Sequence, residues 1–510
     1  MKLQAILGAA AVAVTLLGTT ALTMPAFAAS VPDGTKLAAD QTFNYRVLDN
    51  INSLDPDIVE DVDTSYVVGN LFEGLYNEDA KGNPVPGAAE SYDVNADNTV
   101  FTFHLRDAVW SNGDPVKASD FVYSWRRAVD PKTGSNYSYF PGLVGVKNAD
   151  DIVAGKLPPD QLGVKAIDDK TLEVDLNKSV PYFVRTTAHA TLFPVPEAVV
   201  EKFGNDWTKP ENIVGNGAYV LAENKPGERV TLKRNPKYWD DAKTVLNTIN
   251  FLTINDENQG VTRYLSGEVD QTDVPAGQYP SMKQKYPDEA HSVPQLCTYY
   301  FDINMTDKQP VEALKDVRVR EAISMAIDRD VIVNNVLQGG QIPAYFFTPP
   351  ATAGFKAPDV EMAKMSQADR DAKAKQLLAD AGYGPDKPVS FTYVYNTSEA
   401  HKKIATVVSQ MLKEKLGINM TLQDMEFATL LDKRHQGYSN PDVDKWLKES
   451  STSADPNQQY LQIEQQVAKD IPIIPIYFYT KVFLQKTDVK GWPYDNVEQV
   501  WYGKDLYKTA

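Results

Sequence analysis

Apolar positions recur along this chain in two rhythms. In residues 99–106, Phe101, Phe103 and Leu105 fall on alternate positions between threonines and a histidine, the period of a strand with one face buried. Residues 171–176 and 229–234 carry the same alternation and predict two more strands. The second rhythm is helical. Residues 366–381 open on a serine cap at Ser366, place Ala and Leu at helical spacing beside a charged face, and stop at Gly382. Residues 401–415 predict another helix, closed by Gly417, with strands predicted at 389–395 before it and 418–422 after it. A helix between two such strands makes a β-α-β unit, because parallel strands need a crossover of that length. The fold class is therefore α/β or α+β with mixed sheets. No repeat and no Ser-, Gln- or Gly-rich linker divides the chain, which predicts domains that exchange segments.

Length sharpens this picture. A chain of 510 residues exceeds what one hydrophobic core serves, so two or three domains are expected and a small disulfide- or metal-stapled fold is excluded. With 43% hydrophobic and 23% charged residues and a mean hydropathy of -0.37, the composition is that of an ordinary globular protein. A formal charge of -17 repels a phosphate backbone, which argues against nucleic acid as a partner. Residues 1–28 pair Lys2 with an apolar stretch and end on Ala26-Phe27-Ala28, the pattern of a cleaved secretory leader. No later stretch is apolar for about 20 residues, and no cysteine follows the leader to carry a lipid, so no membrane anchor is expected after cleavage. The single cysteine, Cys297, has no partner for an intramolecular disulfide.

Catalytic signatures are missing. There is no G-x-S-x-G elbow, and the five histidines, His104, His189, His291, His401 and His435, are scattered and form no H-E-x-x-H. Gly215-Asn216-Gly217 lacks the lysine and third glycine of a nucleotide loop. No enzyme, cofactor or metal site is predicted. The 68 acidic residues leave a secreted hydrolase such as a glycosidase open, because only geometry reveals a catalytic carboxylate pair. A holdase or adhesion protein with exposed apolar surface is a third class. Aromatic residues are abundant, with 26 Tyr, 7 Trp and 19 Phe, and tyrosines cluster at Tyr299-Tyr300 and at Tyr477 and Tyr479. Tyrosine suits a ligand cleft, since its ring gives contact area at low entropic cost while its hydroxyl hydrogen-bonds.

Several ordered motifs then carry a resemblance. Leu71-Phe72-Glu73-Gly74-Leu75, Ala89-Glu90-Ser91-Tyr92, Trp110-Ser111-Asn112-Gly113, Asn216-Gly217-Ala218-Tyr219, Arg234-Asn235-Pro236-Lys237-Tyr238-Trp239 and Asp316-Val317-Arg318-Val319-Arg320 are similar to the dipeptide and oligopeptide-binding proteins of ABC importers. Leu296-Cys297-Thr298-Tyr299-Tyr300 and Arg434-His435-Gln436-Gly437 narrow the resemblance to the periplasmic oligopeptide-binding branch. It implies an α/β, periplasmic binding protein type II-like fold, a monomer of two lobes in three domains. Domain I would take residues 29–72, 195–296 and 502–510, domain II 73–194, and domain III 297–501. The implied partners are an oligopeptide, held extended through its backbone, and the membrane permease subunits of the importer; no cofactor is implied. A cell-wall peptide or another small solute is the neighbouring alternative. Carried over residue by residue, Glu60 and Val62 would face the peptide, Tyr137, Tyr300 and Phe427 would be aromatic walls, and His401 and Arg434 would meet its terminal carboxylate. Phe427 stands where the family usually has tryptophan.

One departure limits the resemblance. After Gly437 the family continues through a further segment with a buried strand and a Trp-Cys-Ala-Asp-Tyr stretch, whereas here Gly437 joins Tyr438 directly. That segment would supply the aspartate for the peptide's α-amine and the partner of Cys297. Its loss predicts weak or altered recognition of the amino terminus, uncovered sheet edges in the second lobe, and a free thiol. A weakened binder, a binder retuned to ligands without a free α-amine, and a defective relic all fit.

Overall fold

The computed structural model describes residues 31–433, 437–450, 453 and 455–510; the leader at 1–28 and Arg434 lie outside the described residues. The β-rich first half begins as the alternation predicts. Val100–Leu105 buries Phe101, Phe103 and Leu105 and pairs antiparallel with Ala89–Val94 on one side and Thr171–Asp175 on the other, with Val164–Asp168 completing four strands. Helix Ala118–Val129 covers this sheet with Phe121, Trp125, Ala128 and Val129. Its Arg127 clamps the preceding segment by bonding Asp55 at 2.6 Å and Asp57 at 2.5 Å.

A larger mixed sheet carries the molecule. Its strands run in the order Ala290–Asp302, Ile473–Gln485, Gln271–Asp273, Thr42–Val47, Thr248–Thr253, Arg229–Arg234, Tyr219–Lys225, with Ile342–Pro343 attached to Ile473–Gln485. Thr42–Val47 lies parallel to Thr248–Thr253, with Tyr45 opposite Phe251. One of its faces presents Phe43, Tyr45 and Val47 to a buried aromatic cluster in which Trp501 packs 5.1 Å from Tyr45. The apolar core of this lobe is continuous from here through the four-stranded sheet. A smaller core lies under helix Glu257–Leu265 around Tyr264 and Leu484.

The second lobe has its own core, built by helices Val317–Ala326, Gln367–Asp380 and Glu399–Leu416. Gln367–Asp380 starts on Ser366, whose hydroxyl accepts from the Asp369 amide, and Glu399–Leu416 ends at Gly417 with φ +68, a left-handed stop that glycine adopts without strain. Ser390–Asn396 and Asn419–Met425 pair in parallel around that helix, the expected β-α-β unit, but among the described residues they form a sheet of only two strands. Two 13-residue strands, Ala290–Asp302 and Ile473–Gln485, join the lobes. Val293 and Phe483 sit in the first core, while Phe301 and Ile474 sit in the second. Their register shifts between Pro294 and Thr298, and such a bulge bends the ribbon at the level of Cys297. Among the described residues no helix is long and apolar enough to cross a membrane.

Candidate functional site

Where the ribbon passes from lobe to lobe, it floors a cavity of about 360 Å³. The first lobe contributes the turn after Thr42–Val47, with Asp49, and the start of helix Val62–Leu71, with Asp61, Val62 and Asp63; Glu257 adds to this side. The second lobe contributes the loop and first turn of Glu399–Leu416, with Asn396, Ser398 and His401, and then Glu426 and Phe427. Asp273, Tyr477, Tyr479 and Lys481 form the floor. Val62 is 64% exposed, the most open large apolar side chain among the described residues. An apolar group left bare inside a cleft is a contact surface for a ligand.

The floor is electrostatically tied. Lys481 pairs with Asp273 at 2.7 Å, and Asp273 also takes Arg46 at 2.8 Å. Burial opposes the charge on Lys481, yet Asp273 holds its ammonium well above the ordinary lysine value. Beside it, burial pushes Asp63 up to about 6, while its carboxylate accepts from the Leu48 amide at 2.9 Å. Glu257 is raised to about 7, first by burial and then by Asp273.

His401 is held neutral. Its Nδ1 bonds the Asn396 side-chain oxygen, an acceptor, so Nδ1 carries the proton and Nε2 accepts from the Tyr479 hydroxyl at 3.0 Å. The ring packs 4.8 Å from Tyr299, and burial lowers its pKa to about 4. Tyr299 in turn stacks on Tyr477 at 5.1 Å, and Tyr477 meets Tyr479 at 4.9 Å. The histidine thus offers the cleft an imidazole, with the ammonium of Lys481 as the wall's one lysine.

Of the residues implied by resemblance, Val62, His401 and Phe427 stand on the cavity wall. Glu60 lies beside it on the same loop and accepts from Asn136 at 2.9 Å. That bond brings it next to Tyr137, whose ring lies 5.7 Å from Tyr139 and 5.2 Å from His189. Tyr300 lies on the ribbon, edge-on to Phe347 at 5.4 Å. Glu60, Tyr137 and Tyr300 do not line the cavity. Residues 473–484 hold a single charge in an apolar run, Lys481, a local signal that marks a floor residue; Glu257 has no such mark. Among the described residues no group of three or more His, Cys, Asp or Glu is placed to hold a metal ion. Cys297 is exposed and free, while desolvation by neighbouring atoms raises its thiol.

The chain belongs to the bacterial extracellular solute-binding proteins of family 5, whose middle region matches residues 83–466. It is 44% identical to the periplasmic oligopeptide-binding protein OppA of Salmonella typhimurium, over 94% of this chain and 95% of that protein. That alignment runs over 525 positions and takes in about 480 of the 510 residues here, so about 45 of its positions have no counterpart in this chain. The structure matches that of the Escherichia coli murein tripeptide-binding protein MppA at 41% identity and a TM-score of 0.90, covering 93% of this chain and all of that one. Against the unliganded open form of MppA, also 41% identical and covering 94% of this chain and 99% of that one, the TM-score is 0.67. The two lobes here therefore stand together, in an arrangement unlike that open form. Type II-like periplasmic binding architecture, with α/β lobes around a cleft, is the fold of these relatives and of this chain.

Proposed function

We propose that this protein is the periplasmic solute-binding subunit of an ABC importer, exported by the leader at residues 1–28, which captures an extended oligopeptide between its lobes and presents the closed form to membrane permease subunits. Closure over a ligand biases a two-state lobe movement, and transport energy is spent by other subunits. The observation that carries this reading is the cavity walled by both lobes and floored by the connecting ribbon, in a chain 44% identical to an oligopeptide-binding protein. The protein acts as a monomer without catalysis or cofactor.

Recognition of the peptide's amino terminus is altered. Two observations support a missing segment between Gly437 and Tyr438: the two-stranded parallel sheet among the described residues and the unpaired Cys297; the count of alignment positions without counterpart is large enough to hold it. Parallel strands are normally found deep in larger sheets. Losing one partner of a buried ion pair costs about 3–5 kcal/mol, or about a hundred- to several-thousand-fold in affinity. A cell-wall peptide is the second reading, favoured by the 0.90 match to a murein tripeptide-binding protein.

Thermal melting of the mature chain against a peptide mixture tests the function, since a ligand of the folded state raises the transition. Free and N-acetylated peptides of one sequence are expected to raise it about equally. A strong preference for the free amine would overturn the altered terminus, and no shift with any peptide would overturn peptide capture.

A further inference from the structure

The ribbon is not the only crossing between the lobes. Beside it, the turn that follows Gln271–Asp273 leaves the first lobe: Val274 belongs to the small core around Tyr264, while Ala276 packs against the core of the second lobe. The Gly277 amide then donates to the Leu337 carbonyl at 2.8 Å, and Lys403 of helix Glu399–Leu416 reaches back to donate to the Ala276 carbonyl at 3.0 Å. Gly277 has φ +87, and a Cβ there would lie 3.2 Å from the Val336 carbonyl oxygen, so an approach this close calls for glycine. Both bonds run from one lobe to the other, and neither belongs to the ribbon.

The segment that receives Gly277 is strained. Residues Ile332–Leu337 form a π-helical turn, a widened winding that is rare and gathers at functional sites. Gln338 follows in the left-handed region at φ +54, which a residue with a side chain adopts only where its surroundings offset the cost. Those surroundings are the ribbon itself. The Gly339 carbonyl accepts from the Ser292 hydroxyl at 2.5 Å and from the Thr480 hydroxyl at 2.8 Å, one from each ribbon strand. Thr480 stands opposite Pro294, where the register begins to shift, so this carbonyl is pinned next to the bulge. Gln341 braces the turn by accepting from the Gly339 amide at 2.9 Å, and Ile342–Pro343 then pairs with Ile473–Gln485. Leu337 and Gln341 line the cavity, whereas Ser292 and Lys403 do not.

We propose that residues 336–341 are a closure strap, a strained loop seated across the ribbon at its bulge that fastens the lobes by taking up Gly277 from the first lobe when they meet. The inference rests on the reading of the cavity as a site that closes over its ligand. Closing seats Gly277 and Ala276 on their partners, and opening releases the backbone of Gln338. The equilibrium between the two arrangements is thus set inside the hinge, away from the ligand, and tunes affinity for every ligand alike.

The test uses the mature chain, stripped of bound peptide by unfolding and refolding. Ser292→Ala and Lys403→Met each remove a strap contact without altering the cavity wall. In calorimetric titrations with trialanine and pentaalanine, each variant is expected to bind both peptides about five-fold more weakly, by the same factor for the two. Hydrogen exchange adds a readout that a merely structural role would not move: saturating trialanine is expected to slow exchange around Gly277 about ten-fold or more in the unaltered chain, and less in either variant. Unchanged affinity in either variant, a loss that differs between the two peptides, or exchange around Gly277 indifferent to trialanine would overturn the strap while leaving peptide capture intact. Should neither peptide bind, peptide capture is overturned, and the strap is judged on the stripped chain, where both variants are expected to exchange residues 274–279 about five-fold faster than the unaltered chain; equal rates would overturn it too.

Discussion

At the residue scale, burial decides most of the electrostatics. Lys481 is tied to Asp273, and both are part-buried. Lys481→Met would leave Asp273 and Asp63 facing each other with Arg46 alone to offset them, and is expected to lower unfolding stability by about 3 kcal/mol, read from urea denaturation. Protonation is also linked to stability. Burial and the neighbouring Glu498 raise Glu78 to about 8, and burial and Asp273 raise Glu257 to about 7, so the folded protein holds protons that the unfolded chain has already released. Such groups stabilise below their unfolded pKa and lose that contribution as pH rises through the folded one. His401 and His189, both lowered to about 4 by burial, act the other way, and only as pH falls from about 6.5 toward 4. Stability is therefore expected to fall from about pH 6.5 to pH 8, and Glu78→Gln to flatten that fall in thermal melts. The His401 imidazole is expected to show no NMR titration between about pH 5.5 and pH 8. Carry-over from the family resemblance, position by position, brought Val62, His401 and Phe427 into view, although Val62 lies in no strong motif. Glu257 escaped, since its place on the wall depends on helix Glu257–Leu265 lying against a strand that is only three residues long, Gln271–Asp273.

At the element scale, legibility followed the range of the interactions. The helix over 366–381 and the β-α-β unit were readable because their signals are local: Ser366 and Ser398 cap the helices through their own side chains, and Gly417 ends the second in a left-handed turn. The ribbon was not readable as such. Its two strands meet only through pairing across about 180 residues of chain, and each changes core midway, so neither keeps one buried face. The second-lobe strand expected at 418–422 continues to Met425 because Ser390–Asn396 offers a partner through Asn396. With no further strand paired to either edge of that pair among the described residues, its amides are expected to exchange with solvent faster than those of Thr42–Val47, which has a neighbour on either side. Hydrogen-exchange mass spectrometry reads the difference; equal protection would mean that another element covers the edge.

At the scale of the whole molecule, cavity and lobe arrangement belong to one design. The 0.90 and 0.67 matches to two structures of one relative, the second its unliganded open form, show that the relative takes more than one arrangement. Small-angle scattering is expected to give a larger radius of gyration for the stripped protein than for the protein saturated with a binding peptide. The two 13-residue strands that thread both cores constrain that motion. The lobes are not beads on a string but share a leaf spring, whose flexing at the bulge leaves its anchored ends in place. Neither half can melt without pulling a strand from the other's interior, so heat should dismantle both in a single calorimetric event, despite their separate interiors.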